Sequence, residues 1–272
     1  MLADLQIAFI GSGNMAEAMV AGLLHGNQVQ AAQVIVSDVL PSRLDCLKRT
    51  YGIRTARSNR EAVVGAQMIV LAVEPQVLDE VLTEIASVVK ASQLVVSVAA
   101  GYTISRIARH LTGSQRIVRA MPNTPSTIRE GMTALAYEVG LSPEDAATTQ
   151  ALFEPVGKVV EVAERHMDIV TGLSGSGPAY VYVMIEALAD GGVKMGLPRE
   201  TAQLLAAQTV AGAARLVVDS HEHPAILKDR VASPGGATIA GLHALEQGRF
   251  RATVMSAVEA ASVRSSELGL MS

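Results

Sequence analysis

The chain has 272 residues, a formal net charge of −4, a single cysteine and no tryptophan. The acidic balance excludes a general nucleic-acid-binding surface, which needs a concentrated basic face. The lone Cys46 excludes an internal disulfide and a cysteine-rich metal site. No apolar run approaches the roughly 18 uninterrupted residues of a membrane span, and the length predicts about two domains.

The N-terminus, MLADLQIAFIGSG, lacks a basic stretch and enters a glycine motif at once. It reads as structure rather than as a signal peptide, and a cytoplasmic protein is the expectation. Short β-branched runs then alternate with helix-length segments. The runs at 5–10, 33–38, 67–73, 93–99 and 116–121 predict buried strands, with helices at 14–25, 41–50, 75–89 and 103–111 between them. This alternation predicts an α/β domain of the Rossmann type, with a doubly wound parallel sheet. MTALAYE (132–138) and GKVVEVA (157–163) predict two edge strands, flanking a helix opened by SPED at 142–145.

Strand signals fade after about residue 163. Segments 177–196, 198–220, 237–248 and 250–269 predict helices, the first of them apolar nearly all round and therefore buried on most sides. The predicted division is 1–163 for the nucleotide-binding domain and 164–272 for an all-α dimerisation and substrate-binding domain. Helices so apolar and so poor in charge call for a partner subunit, so a homodimer or larger is expected.

Gly11-Ser12-Gly13-Asn14-Met15-Ala16 follows the first strand and opens the first helix, a GxGxxA form of the dinucleotide fingerprint. Gly11 supplies the tight turn, Gly13 lets a pyrophosphate approach the backbone, and Ala16 allows close helix–strand packing. Helix N-terminal N–H groups complete the anion site. At the end of the second strand, Asp38 suits a ribose 2′-hydroxyl and so NAD, whereas Ser37 and Arg43 suit a 2′-phosphate and so NADP. The preference stays open. The ends of later strands, AVEPQ (72–76), VAAGY (98–102) and RAMPNTP (119–125), bring small residues, fixed turns and the polar Asn123 and Thr124 to the same sheet edge.

Taken in order and spacing, GSGNMA, AVEP, VVSVAAG, RAMPNTP, GLSGSGPAYV and LKDRVASPGGATIAGLHALEQGRFR resemble the pyrroline-5-carboxylate reductase family. The likeness runs from residue 5 to about 268, and the Ser-Pro-Gly-Gly-Ala-Thr segment is its most discriminating piece. The resemblance implies NAD(P)H-dependent reduction of 1-pyrroline-5-carboxylate, a cyclic imine carboxylate, to L-proline. It also implies a dimer of interlocked helical domains, often assembled into pentamers of dimers. Carried over by position, the cofactor groups are Gly11, Ser12, Gly13, Asn14, Met15 and Ala16 in the loop, with Ser37 and Asn59 towards the ribose. Ala72, Val73, Glu74 and Pro75 follow, then Ala99, Ala100 and Gly101, and then Met121, Pro122 and Asn123. Where the family usually has lysine in its AVKP turn, this chain has Glu74; backbone contacts survive that change and a side-chain contact does not.

Reducing an imine needs a hydride donor, a carboxylate socket and a polar contact to the ring nitrogen, with no metal and no covalent nucleophile. Two helix starts suit the carboxylate: Ser176 ahead of Gly177-Pro178, and Ser233, Gly235, Gly236 and Ala237 ahead of Thr238. Thr238 is the candidate catalytic residue, its hydroxyl directed at the imine nitrogen. Glu222 matches a family acid near the substrate, although HEHP (221–224) also reads as a loop or cap. No metal-spaced cluster stands out. The alternatives are a 3-hydroxyacid-type dehydrogenase, for which Lys194 is the only tempting acid/base, and a non-catalytic NAD(P)-binding sensor.

Overall fold

The computed structural model describes residues 2–111 and 116–271. The chain forms two compact units, one of Met1–Ser176 with Glu259–Ser272 and one of Gly177–Val258.

The first unit is built on an eight-stranded sheet in the order β3-β2-β1-β4-β5-β6-β7-β8. The strands are β1 (Ile7–Ile10), β2 (Val34–Ser37), β3 (Arg54–Thr55), β4 (Met68–Leu71), β5 (Leu94–Ser97), β6 (Arg116–Met121), β7 (Gly131–Tyr137) and β8 (Gly157–Glu161). All neighbours pair in parallel except β6 and β7. Helices α1 (Asn14–His25), α2 (Pro41–Tyr51), α3 (Asn59–Val63), α4 (Leu78–Ile85), α5 (Ile104–His110), α6 (Pro143–Phe153) and α7 (Met167–Val170) connect or follow the strands.

Every residue of β1, β2, β4 and β5 is buried, because helices cover both faces of the sheet. The period-2 alternation sorts their side chains into two cores. Ile7 and Phe9 join Met19, Leu23, Leu152 and Phe153 on one face, while Ala8 and Ile10 join Leu78, Leu82, Ile85 and Ile107 on the other. Each of the Leu, Ile, Phe and Met side chains among them contributes about 1.5–3 kcal/mol relative to exposure. The chain leaves β1 for β2 and β3 on one side and returns to β4 on the other, so the strand order reverses at β1. A crevice at the carboxyl ends of β1, β2 and β4 is the consequence, and it is where open α/β sheets hold ligands.

Several expectations change. MTALAYE is not an edge strand: β7 lies between antiparallel β6 and parallel β8, which α6 delivers to its far side. The α6 start itself is as expected, with Ser142 capping the Asp145 N–H ahead of Pro143. The true opposite edge is β3, followed by α3, and neither is evident from periodicity. The segment 75–89 is helical mainly over Leu78–Ile85, after a 3₁₀ turn at Pro75–Val77. The first compact unit runs on to Ser176, because Met167 in α7 is fully buried in one cluster with Ala134 and Ala136 of β7.

The second unit contains α8 (Gly177–Lys194), α9 (Arg199–Ser220), α10 (Pro224–Val231), α11 (Ala237–Gln247) and the first part of α12 (Phe250–Met271). Small residues set the α8–α9 contact: Ala189, Ala202 and Ala206 form its core. Instead of being buried on most sides, α8 leaves Tyr182, Val183 and Leu188 exposed, and α9 leaves Leu204 and Leu205 exposed. Apolar side chains open to water in this number mark an interaction surface. No helix among the described residues is long and apolar enough to cross a membrane.

Candidate cofactor and substrate site

At the end of β1, Gly11 adopts φ +99°, and a Cβ there would lie 2.6 Å from the Ala72 carbonyl oxygen. Only glycine fits this turn. Its N–H donates to the Ser37 carbonyl at 2.8 Å, tying the loop to β2. Gly13 is different in kind: nothing lies within 4 Å of where its Cβ would be. It precedes α1 with no side-chain cap, so the N–H groups of the first turn remain open to an anion. The loop therefore fits a dinucleotide pyrophosphate, with free space at Gly13 and donors at Asn14–Ala16.

Asp38 organises this loop. Its Oδ2 accepts from the Ser12 N–H at 2.7 Å and from the Ser12 hydroxyl at 2.6 Å, and its Oδ1 accepts from the Leu40 N–H at 2.8 Å. Burial opposes its ionisation, but these bonds and the Arg43 charge outweigh burial and hold its pKa below the ordinary value. Arg43 donates to the Ser12 carbonyl and pairs with Glu17 at 2.8 Å, so its guanidinium serves the loop. Beside Asp38 an open cleft of about 810 Å³ runs past Ser37, Lys48, Arg57, Asn59 and Glu84. The Ser37 hydroxyl donates to Asn59 Oδ1 at 2.8 Å, and Asn59 Nδ2 donates to Glu84 Oε2 at 2.6 Å. Lys48, Arg57 and Glu84 carry no motif; they reach the cleft from α2, the β3–α3 link and α4, and nothing in sequence announces them.

The other strand ends converge on the same edge. Ala72 N–H donates to Ile10 and Val98 N–H to Leu71, which fixes the Ala72–Pro75 and Ala99–Gly101 turns against one another's strands. Glu74 is exposed and its side chain caps nothing. Behind these turns Asp79 accepts from Tyr102 and Arg106 and lies 2.8 Å from His110 Nε2, while Arg106 stacks 4.2 Å over the Tyr102 ring. The Tyr102 hydrogen bond leads the causes that lower the Asp79 pKa; burial and Asp79 raise that of Tyr102. Gly101 is also covered by the C-terminal end of α12, where a Cβ on Gly269 would lie 2.4 Å from the Gly101 carbonyl oxygen. Asn123 uses its side chain internally, donating to the Ser174 carbonyl and accepting from the Met132 N–H. The Asn123 side chain is thus committed within the protein. The Met121–Asn123 turn is anchored by Arg119, a buried guanidinium 3.0 Å from Asp168, which also accepts from Ser265.

Ser176 closes a π-helical turn over Thr171–Gly175, its N–H donating to the Thr171 carbonyl at 2.8 Å. In the second unit Glu222 is held by Arg230 at 2.7 Å, and His223 caps α10 by accepting from the Ala225 N–H. HEHP is thus a capping loop, with Glu222 oriented by its arginine. The Ser233–Thr238 segment turns through Gly235 at φ +66° and enters α11, with Gly236 at the N-cap and no side-chain cap. Thr238 sits half-buried in the first turn, its hydroxyl without a hydrogen bond to any described residue. Among the described residues no three His, Cys, Asp or Glu gather to hold a metal ion.

Residues 164–268 match the family model described as pyrroline-5-carboxylate reductase dimerisation, and residues 6–101 match that of NADP oxidoreductase, coenzyme F420-dependent. A pyrroline-5-carboxylate reductase from Synechocystis is 49% identical over 98% of this chain and 99% of its own length. The chain belongs to the pyrroline-5-carboxylate reductase family. Solved members agree in shape: the reductase from Coxiella burnetii superposes with a TM-score of 0.91 at 36% identity, covering 97% of this chain and 98% of that one. The reductase from Plasmodium falciparum, with NADP bound, gives 0.89 at 33% identity over 99% of this chain and all of its own.

Proposed function

We propose that this reductase-family chain converts 1-pyrroline-5-carboxylate to L-proline, the last step of proline synthesis, using a reduced nicotinamide dinucleotide. The observation that carries the reading is the family likeness over nearly the whole chain. A reduced nicotinamide dinucleotide, NADPH or NADH, would supply the hydride for the imine carbon when bound. The chain's own residues bind and orient. The open Gly13 and the donors of Asn14, Met15 and Ala16 receive the pyrophosphate. Ser37, Asp38 and Asn59 face the ribose, while the turns Ala72–Pro75, Ala99–Gly101 and Met121–Asn123 line the nicotinamide end.

For the substrate, uncapped N–H groups at the start of α11, with Ser233, Gly235, Gly236 and Ala237, suit the carboxylate. Ser176 and Glu222 belong to the same substrate set. The free Thr238 hydroxyl donates a hydrogen bond to the ring nitrogen, which takes its proton from solvent as the carbon gains the hydride. Orientation alone supplies about 7 kcal/mol or more of such a barrier, so no strong general acid is needed.

The protein acts as a homodimer through its helical unit, assembled further into pentamers of dimers, and works in the cytoplasm; light scattering of the purified protein checks the assembly. Lys194, the acid/base a 3-hydroxyacid dehydrogenase would require, is an exposed residue at the end of α8. Following NADH and NADPH oxidation with 1-pyrroline-5-carboxylate and with a 3-oxoacid decides among the readings. Turnover of the pyrroline alone is expected. Cofactor binding without turnover of either substrate would make the protein a sensor instead.

A further inference from the structure

We propose that this chain takes NADH in preference to NADPH, because the ribose end of its cleft presents hydrogen-bond acceptors and an excess of carboxylates. The inference rests on the reductase reading for its choice of ligand and adds which of two cofactors the site selects.

A ribose 2′-hydroxyl brings a donor, whereas a 2′-phosphate brings about two negative charges and only acceptor oxygens. A site that selects the phosphate must offer free donors and positive charge. At the strand end the Ser37 hydroxyl and one Asn59 amide hydrogen are already used within the protein, and the cationic donors of the cleft are Lys48 and Arg57. The Ser37 hydroxyl has one hydrogen, and it goes to Asn59 Oδ1. Asn59 turns its amide to Glu84. Arg43, the guanidinium closest in sequence, is directed to the Ser12 carbonyl and Glu17 and does not line the cleft.

Beside these donors stands an acceptor suited to a hydroxyl. Asp38 fills three of about four acceptor positions with Ser12 and Leu40, which leaves one for a ribose hydroxyl. The charge balance points the same way. Four carboxylates line the cleft, Asp38, Asp45, Glu61 and Glu84, against two cations, Lys48 and Arg57. The surplus of two negative charges opposes a phosphate and is indifferent to a hydroxyl. Asp38 cannot swing aside to admit the phosphate, since the same carboxylate holds the glycine loop through Ser12.

Calorimetric titration of the intact protein with NADH, NADPH, 5′-AMP and 2′,5′-ADP tests the proposal without relying on turnover. The expected result is a Kd about tenfold or more lower for NADH than for NADPH, with 5′-AMP likewise tighter than 2′,5′-ADP. Because the discrimination is partly repulsive, raising the ionic strength narrows the gap. Asp38→Asn keeps an acceptor for Ser12 and removes the charge, so the NADPH-to-NADH ratio of Kd falls severalfold. Glu84→Ala, on the outer side of α4 and independent of the glycine loop, releases the Asn59 amide and moves the ratio in the same direction. NADPH binding as tightly as NADH or more so overturns the preference and leaves the reductase reading standing. Failure of both dinucleotides to bind overturns the nucleotide site itself, and the preference with it.

Discussion

Ser12 gives both its backbone N–H and its hydroxyl to one carboxylate oxygen of Asp38, at 2.7 and 2.6 Å. The residue expected to read the ribose is therefore also the clamp on the glycine loop. Removing it with Asp38→Ala strands the Ser12 and Leu40 donors at a partly exposed site, with an expected cost of about 1–2 kcal/mol in unfolding free energy. The same clamp sets a pH dependence. The folded-state pKa of Asp38 lies below its unfolded value, so its contribution is complete above roughly pH 4 and is lost as pH falls through the folded value. Urea denaturation of wild type and Asp38→Ala at neutral pH and again at acid pH checks this: the two curves converge as the pH drops. A difference that persists unchanged in acid would mean that the ionised carboxylate is not what holds the loop.

The two glycines of the fingerprint should separate stability from binding. Gly11 has φ +99° and would drive a Cβ to 2.6 Å from the Ala72 carbonyl oxygen. Gly11→Ala is expected to destabilise the fold by on the order of 3 kcal/mol, combining backbone strain with a clash against main chain. Gly13 has φ −65° and open space around its Cβ position. Gly13→Ala is expected to fold within about 0.5 kcal/mol of wild type, while its methyl fills the approach to the pyrophosphate and weakens dinucleotide binding about tenfold or more. Thermal melts with and without dinucleotide distinguish the two, and equal melting losses for both variants would contradict the division of roles.

How much of this was legible in the sequence depends on length and on partners. The strands Ile7–Ile10, Val34–Ser37, Met68–Leu71 and Leu94–Ser97 read clearly because burial on both faces demands unbroken apolar runs. Arg54–Thr55 and Asn59–Val63 are too short and too polar to show a period. That β7 is an interior strand is a fact about its neighbours, which no local pattern encodes. The geometry of the glycine turn was readable to the residue, with Gly11 at the tight turn and Gly13 ahead of α1, since it is written in consecutive positions. Glu84 and Lys48 were not, because only the fold brings α4 and α2 to one cleft. The α8 segment read as buried on most sides, yet in the single chain its Tyr182, Val183 and Leu188 are exposed; whether a neighbour covers them is not written in one helix's own sequence.

Thr238 carries the chemical prediction. Its hydroxyl makes no hydrogen bond to any described residue, and the side chain is half-buried in the first turn of α11. Thr238→Ala should change unfolding free energy by no more than about 0.5 kcal/mol. If the hydroxyl contacts the imine nitrogen, kcat/KM for 1-pyrroline-5-carboxylate drops about 10- to 100-fold, the worth of one hydrogen bond to a charged group. Thr238→Ser, which keeps the hydroxyl, restores most of it. Steady-state kinetics of the two variants decide the matter, and an unchanged kcat/KM in Thr238→Ala removes the residue from the mechanism.

The end of α12 offers a test of coupling to the Ala99–Gly101 turn, which is proposed to line the nicotinamide end. Gly269 faces Gly101 so closely that a Cβ would stand 2.4 Å from the Gly101 carbonyl oxygen, while a Cβ on Gly101 would meet the Ser265 carbonyl at 3.0 Å. Ser265 is itself fixed by Asp168, which pairs with the buried Arg119, so the helix end has little freedom to retreat. Gly101 belongs to the Ala99–Gly101 turn, and its φ of +72° leaves it few alternative conformations. In Gly269→Val the branched side chain must push the turn or lift the helix, at a cost of about 1–3 kcal/mol. If the turn yields, dinucleotide affinity falls with little change in melting temperature of the unliganded protein. If the helix lifts, the melting temperature falls and affinity is kept. The Arg119–Asp168–Ser265 anchor favours the first outcome, so a titration showing unaltered dinucleotide Kd in Gly269→Val would mean that the helix end, and not the turn, gives way.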